Sequence, residues 1–239
     1  TVNASCVYNT ETIKDYSDVN VTLRSLAIQK GVQGYGWGSN VNLNTKLNYT
    51  AYFQVSDYFD ISVLTIKDIF GTIKDEGSAQ VFNNSEPVTL NITLNNYTYT
   101  YTLTEGTGYN LINNTNGTQD VIFNIGDVLK NNNVHNITNL TGGYYTDRNN
   151  NVGYAIGTLH FTVSIGDKYT NKTKVDGGIN AGINGGDPVN NNVYINGTLI
   201  NSQKTVNDNG GTHLIVATPT INKTIYAVNN QTDYKGNAS

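Results

Sequence analysis

Between Val41 and Val55 the chain alternates with a period of two. Val41, Leu43, Thr45, Leu47, Tyr49, Ala51, Phe53 and Val55 fall on one parity, and Asn42, Asn44, Lys46, Asn48, Thr50, Tyr52 and Gln54 fall between them. Successive side chains of a β-strand point to opposite faces, so this stretch reads as one long half-buried strand. A helix would scatter the same apolar residues around its circumference. A face this apolar needs a second layer to cover it, which the rest of the chain must supply.

Other segments carry the same period. Val88, Leu90, Ile92 and Leu94 alternate, Asn95-Asn96 follows, and Tyr97, Tyr99, Tyr101 and Leu103 alternate in the opposite phase. A two-residue turn accounts for the phase change and predicts pairing of Leu94 with Tyr97 through to Val88 with Leu103. Leu159, Phe161, Val163 and Ile165 mark another strand, and Val121, Phe123 and Ile125 a further one before a helical turn at Gly126–Lys130. Ile61 to Ile66 suits a strand, with a helical turn expected across Ile66, Ile69, Phe70 and Ile73. Asn131–Thr146 and the Gly-rich Lys174–Asn192 read as loops, and Tyr194–Leu199 as a second hairpin turning at Asn196-Gly197. His213–Ala217 and Thr224–Val228 complete about ten strands with almost no helix. The expected fold is all-β: an antiparallel β-sandwich, Ig-like or pilin-like, or else a jelly roll. No internal repeat or composition shift divides it.

The N-terminal residues read differently. Val2, Ala4 and Cys6 alternate with polar neighbours, as do Val19, Val21 and Leu23, and the apolar series continues through Leu26 and Ile28. Gly31, Gly34, Gly36 and Gly38 then follow, with Tyr35 and Trp37 among them. Such glycine density marks a hinge or a tight passage of backbone. The expected organisation is an N-terminal arm over residues 1–30, a hinge over 31–39 and a sandwich domain over 40–239.

Composition narrows the function classes. Of 239 residues only 13% are charged, the net charge is −4, and Arg24 and Arg148 are the only arginines. A nucleic-acid partner would require a basic stripe, so none is expected. No stretch approaches the roughly 20 apolar residues of a membrane helix. The chain has no Met and begins at Thr1, which is the expectation for a mature chain freed of its signal peptide. Cys6 is the single cysteine, so there is no internal disulfide; it reads as a small buried apolar residue or as the site of an intermolecular bridge.

Fifteen Asn-X-Ser/Thr sequons begin at Asn3, Asn20, Asn48, Asn83, Asn91, Asn96, Asn113, Asn116, Asn136, Asn139, Asn171, Asn196, Asn222, Asn230 and Asn237. Chance at this composition gives roughly 7. The excess favours an extracellular glycoprotein carrying N-linked glycans at its surface.

Catalytic chemistry is poorly represented. His135, His160 and His213 are not at metal-ligand spacing, and no nucleophile elbow or phosphate loop occurs. Asp176 and Asp187 bracket a loop that lacks the alternating acidic run of a calcium site. No catalytic residue, metal or cofactor other than glycans is therefore expected, and the chain is read as not an enzyme. Lys-to-Asn isopeptide cross-links occur in sandwiches of this kind, but the sequence alone designates no pair.

A sequon-dense, Asn/Thr-rich β-sandwich with an extended N-terminal arm and Gly-rich hinge resembles the subunits of archaeal surface filaments. The likeness is to the Sulfolobus-type thread, a glycosylated pilus, and also to TasA-like fibre subunits, which include archaeal bundling pili. The resemblance implies an extracellular homopolymer, active in adhesion or biofilm, whose subunits join head to tail by donor-strand complementation. Val2, Ala4, Cys6, Val19, Val21, Leu23, Leu26 and Ile28 would then be the donor-strand residues, with either Val19–Ile28 or Val2–Tyr8 as the inserted segment. The partners would be identical subunits, with other cell-surface glycans or filaments possible. The alternatives are an S-layer-associated or adhesin-type surface protein and, further off, a glycan-active enzyme on a jelly roll.

Overall fold

A computed structural model of the chain describes residues 2–17, 26–55, 61–71, 77–94, 97–132, 157–172, 175, 186–199 and 202–217. Two sheets form the body. The first runs in the order β10 (Tyr109–Asn113), β11 (Gln119–Phe123), β6 (Ile61–Phe70), β13 (Gly186–Leu199), β14 (Thr205–Ala217) and β4 (Ser39–Val41). The second runs β3 (Leu26–Val32), β5 (Lys46–Val55), β12 (Gly157–Ile165), β8 (Val88–Leu94) and β9 (Tyr97–Leu103). Short β7 (Gln80–Phe82) also pairs with β12. Neighbours are antiparallel except for the parallel pair β14–β4. A short helix, α1 (Ile125–Asn131), buries Ile125, Val128 and Leu129. β1 (Val2–Tyr8) and β2 (Glu11–Ser17) pair with each other in a two-stranded sheet of their own. Among the described residues no helix is long and apolar enough to cross a membrane.

The all-β sandwich expected from the periodicity is what forms. Leu47, Tyr49, Ala51, Phe53 and Val55 of β5 are buried, facing Leu64, Ile66, Phe70, Val193 and Ile195 in a shared core. The β8–β9 hairpin adopts the expected register, Leu94 opposite Tyr97 and Val88 opposite Leu103.

Four local expectations are corrected. The Val41–Val55 stretch is two strands in different sheets, because a turn closed by Thr45 N–H to Asn42 O, with Asn44 at φ 61°, separates β4 from β5. The residues 66–70, expected to be helical, continue β6 as strand. Residues 186–192, expected to be loop, are strand, because β13 begins at Gly186. Pro188 is tolerated there because β13 up to Asn190 pairs with β14 only, β6 joining from Asn191 onward. Finally, Asn196-Gly197 is not a turn. β13 runs straight through it, with Gly197 opposite Val206. A Cβ on Gly197 would lie 3.1 Å from Ile61 Cγ2 and 3.2 Å from Leu26 Cδ1, so glycine serves close packing between the sheets. The strand expected at Thr224–Val228 and most of the loop at Asn131–Thr146 lie outside the described residues.

Residues 31–39 are not a hinge between an arm and a domain. Gly31 and Val32 belong to β3, which pairs with β5 along its whole length. The following turn is held by Gln33 N–H to Asn48 O at 3.0 Å, Gly38 N–H to His213 O at 2.7 Å and Gly36 N–H to Ser39 Oγ at 3.0 Å. Gly34 and Gly38 supply the positive φ, 79° and 77°, that this passage between sheets requires. The sandwich therefore includes Leu26–Val32 and does not start at residue 40.

Candidate functional site: a buried lysine, aspartate and asparagine

Three strands each set a polar residue among apolar neighbours of the same inward phase. On β3 the series is Leu26, Ile28, Lys30, Val32; on β6 it is Leu64, Ile66, Asp68, Phe70; on β13 it is Val189, Asn191, Val193, Ile195. Stacking the sheets brings the three odd residues together. The side chains of Lys30 and Asp68 are fully buried and paired, Lys30 Nζ donating to Asp68 Oδ2. The same nitrogen donates to Asn191 Oδ1, and Asn191 is also fully buried. Asp68 and Asn191 are neighbours on adjacent strands, since Val193 is opposite Asp68 and Asn191 opposite Phe70.

Aromatic rings close the site. Lys30 Nζ lies 4.3 Å from the centroid of Tyr49 and 5.0 Å from that of Phe161, and these two rings stack at 5.6 Å. A low dielectric disfavours both charges. Burial lowers Lys30 from 10.5 to about 8, with Asp68 opposing the shift. Burial likewise raises Asp68, with Lys30 and Asn191 pulling the other way. Burial thus favours the neutral amine and the neutral acid over the charged pair. Asp68 Oδ1 has no hydrogen-bond partner among the described residues.

This arrangement supplies the parts of an acyl transfer: an amine nucleophile, a carboxamide carbonyl in contact with it, and a carboxyl group beside both. Sequence reasoning missed all three residues. The available signal was a charged or amide residue at the inward phase of a strand, a position where a lone polar group is costly. At Asp68 that signal was overridden by the helical spacing of Ile66, Ile69, Phe70 and Ile73, which suggested a helical turn.

The sequence-designated residues fall elsewhere. Leu26 and Ile28 are 2% and 3% exposed in the core of their own sandwich, so they are corrected from donor-strand residues to core residues. Val2, Ala4 and Cys6 lie on β1, and Val19, Val21 and Leu23 lie outside the described residues. Cys6 is exposed, which removes its reading as a buried residue. Trp37 is 78% exposed and tilts against His213 with ring centroids 5.5 Å apart. Of the sequon asparagines, Asn48, Asn113, Asn116 and Asn171 are exposed and Asn83, Asn91 and Asn196 half-buried. Asn3 is on β1; Asn20, Asn96, Asn136, Asn139, Asn222, Asn230 and Asn237 lie outside the described residues. His160 sits on the outer phase of β12, with its Nδ1 3.0 Å from Thr50 Oγ1. No cluster of potential metal ligands occurs among the described residues.

The fold and site define a β-sandwich whose two sheets meet at a buried lysine, aspartate and asparagine. No protein-family model matches the chain, and no curated protein matches it either. Among solved structures it is similar to the major pilin subunit BcpA of Bacillus cereus, at 11% identity over 90% of this chain and 48% of that one, with a TM-score of 0.45. It is similar also to the major pilin SpaD of Corynebacterium diphtheriae, at 12% identity over 80% and 35%, TM-score 0.42. A third is the pilus backbone protein RrgB of Streptococcus pneumoniae, at 13% identity over 72% and 52%, TM-score 0.39. The chain spans about half or less of the length of these pilins.

Proposed function

We propose that this chain is a structural subunit of an extracellular, N-glycosylated filament, and that its body is locked by an isopeptide bond between Lys30 and Asn191. The observation that carries the reading is the buried site itself. Neutral Lys30 Nζ attacks Asn191 Cγ while the Asp68 carboxyl group polarises the Oδ1 carbonyl. Asp68 then relays a proton from the attacking nitrogen to Asn191 Nδ2. The Cγ–Nδ2 bond breaks, ammonia leaves, and Nζ–Cγ remains as a secondary amide. No oxidant, metal or cofactor enters the balance.

Such a bond joins the two sheets, since β3 belongs to one and β13 to the other. It prevents the sandwich from being pulled apart layer from layer, a property suited to a protein under tension. It also disposes of the buried charge pair that an open site must carry. The outward sequons support an extracellular setting. With Leu26 and Ile28 committed to the core, the segment left to complement a neighbouring subunit head to tail is β1, Val2–Tyr8. An inserted strand of this kind satisfies a sheet edge and covers core.

Intact mass and tandem mass spectrometry test the reading. The native chain is expected to lack about 17 Da, the mass of ammonia, with a branched peptide joining Lys30 to Asn191. Lys30→Ala, Asp68→Ala and Asn191→Ala are expected to show full mass. Electron microscopy of native material is expected to show fibres. A native chain of full mass, or discrete particles only, overturns the corresponding half.

A further inference from the structure

We propose that Gln80 on β7 orients Asn191 for attack, fixing its carboxamide so that oxygen faces Lys30 and the leaving nitrogen faces away. This rests on the isopeptide reading above.

A carboxamide turned by half a rotation has nearly the same shape, but it would present N–H groups to the lysine in place of its carbonyl oxygen. Something must decide between the two. Asn191 Nδ2 donates to Gln80 Oε1 at 3.1 Å. Gln80 is an amide too, and its own sense is set by Nε2 donating to the Asn190 backbone carbonyl at 2.6 Å. A backbone carbonyl can only accept, so the direction of the whole series is unambiguous. Tyr49 Oη donates to the same Gln80 Oε1 at 3.3 Å, reinforcing its role as acceptor.

Gln80 is itself 3% exposed and occupies an inward position beside Phe82, a fourth polar residue in an apolar phase. Its backbone is fixed by Gln80 N–H to Ser78 Oγ at 3.1 Å and by pairing with Ile165 of β12. The contact also suits the departure of ammonia. Gln80 Oε1 takes an N–H of the leaving group and leaves the nitrogen lone pair free for the proton from Asp68.

The test follows bond formation in the full chain by intact mass after a labelling pulse. Gln80→Leu removes all three of these side-chain hydrogen bonds at similar volume and is expected to slow ammonia loss by roughly 10- to 100-fold. Orientation matters only when the two ends of the acyl group differ. In an Asn191→Asp background, where the carboxyl oxygens are equivalent and water leaves instead, Gln80→Leu is expected to have no further effect. Equal slowing in both backgrounds would mark Gln80 as merely structural and overturn the proposal. Gln80→Glu adds a pH readout and decides the matter if the leucine variant does not fold or the aspartate background does not react. Only its protonated acid can donate to the Asn190 carbonyl, so the Gln80→Glu profile is expected to show an additional fall as that acid ionises, absent from the wild-type profile. A wild-type pH profile for Gln80→Glu overturns the proposal. A wild-type chain at full mass removes the isopeptide reading and this inference together; wild-type ammonia loss with Gln80→Leu unaffected removes the role of Gln80 alone.

Discussion

Lys30 and Asn191 are 161 positions apart in sequence and on opposite sheets, yet Lys30 Nζ touches Asn191 Oδ1 inside a fully buried site. A covalent bond there closes most of the sandwich into one loop. Chain entropy alone makes a cross-link over such a loop worth roughly 5 kcal/mol. Asn191→Ala is therefore expected to lower unfolding stability by about that amount, measured by urea denaturation against the cross-linked chain.

Removing Asp68 should do more. Asp68→Ala stops the reaction and also leaves Lys30 buried without its partner. Breaking a buried pair typically costs about 3–5 kcal/mol. The variant is expected to denature at lower urea than Asn191→Ala, which keeps the pair. Equal midpoints would mean that Lys30 finds other solvation.

The pH dependence has a definite sign in Asn191→Ala, where Lys30 and Asp68 stay unlinked. Lys30 titrates at about 8 when folded against 10.5 unfolded, so the unfolded chain binds more protons in that window and stability rises with pH across it. Asp68 is raised above 3.8, so its contribution is present below that value and is lost as pH rises through its folded pKa. Urea midpoints from pH 7 to 10, referenced to the Lys30→Met, Asn191→Ala double variant, should show the rise. A flat difference would mean that Lys30 is not titrating in the core.

Assembly separates the N-terminal residues into two groups. Deleting residues 1–17 is expected to leave a cooperatively folding sandwich that forms no filaments. Leu26→Ala and Ile28→Ala are expected to destabilise the subunit by about 2–5 kcal/mol, as large-to-small changes in a packed core do. Circular dichroism melts and electron microscopy distinguish the outcomes; normal filaments from the shortened chain would end the donor-strand reading.

Glycan mapping of native protein is expected to find Asn48, Asn113, Asn116 and Asn171 occupied, because their side chains are exposed. In the sequon at Asn116 the Thr118 hydroxyl donates to Asn116 Oδ1 at 2.7 Å, as the Ser85 hydroxyl does to Asn83 Oδ1 at 2.6 Å. These two are expected to carry glycan if modification acts on the folded chain. Bare asparagines at all of these positions would count against the extracellular assignment.

Alternation by itself determined where most strands lie, which face of each is buried, and the register of β8 with β9. Those properties are local: a period of two fixes the face, and a two-residue turn fixes the register. Lys30 continues the parity of Leu26 and Ile28 in the sequence, whereas Asp68 and Asn191 fall in stretches that read as a helical turn and a loop, and Gln80 in no expected strand. Only the tertiary structure decided that they meet. Contacts between sheets depend on how layers stack, which no local period encodes. The same distance in sequence hid the role of Gly197, a turn signal by composition but a packing position between Leu26 and Ile61. It likewise hid the assignment of Leu26 and Ile28, whose alternation suits any sheet, to the core of their own chain through pairing with β5.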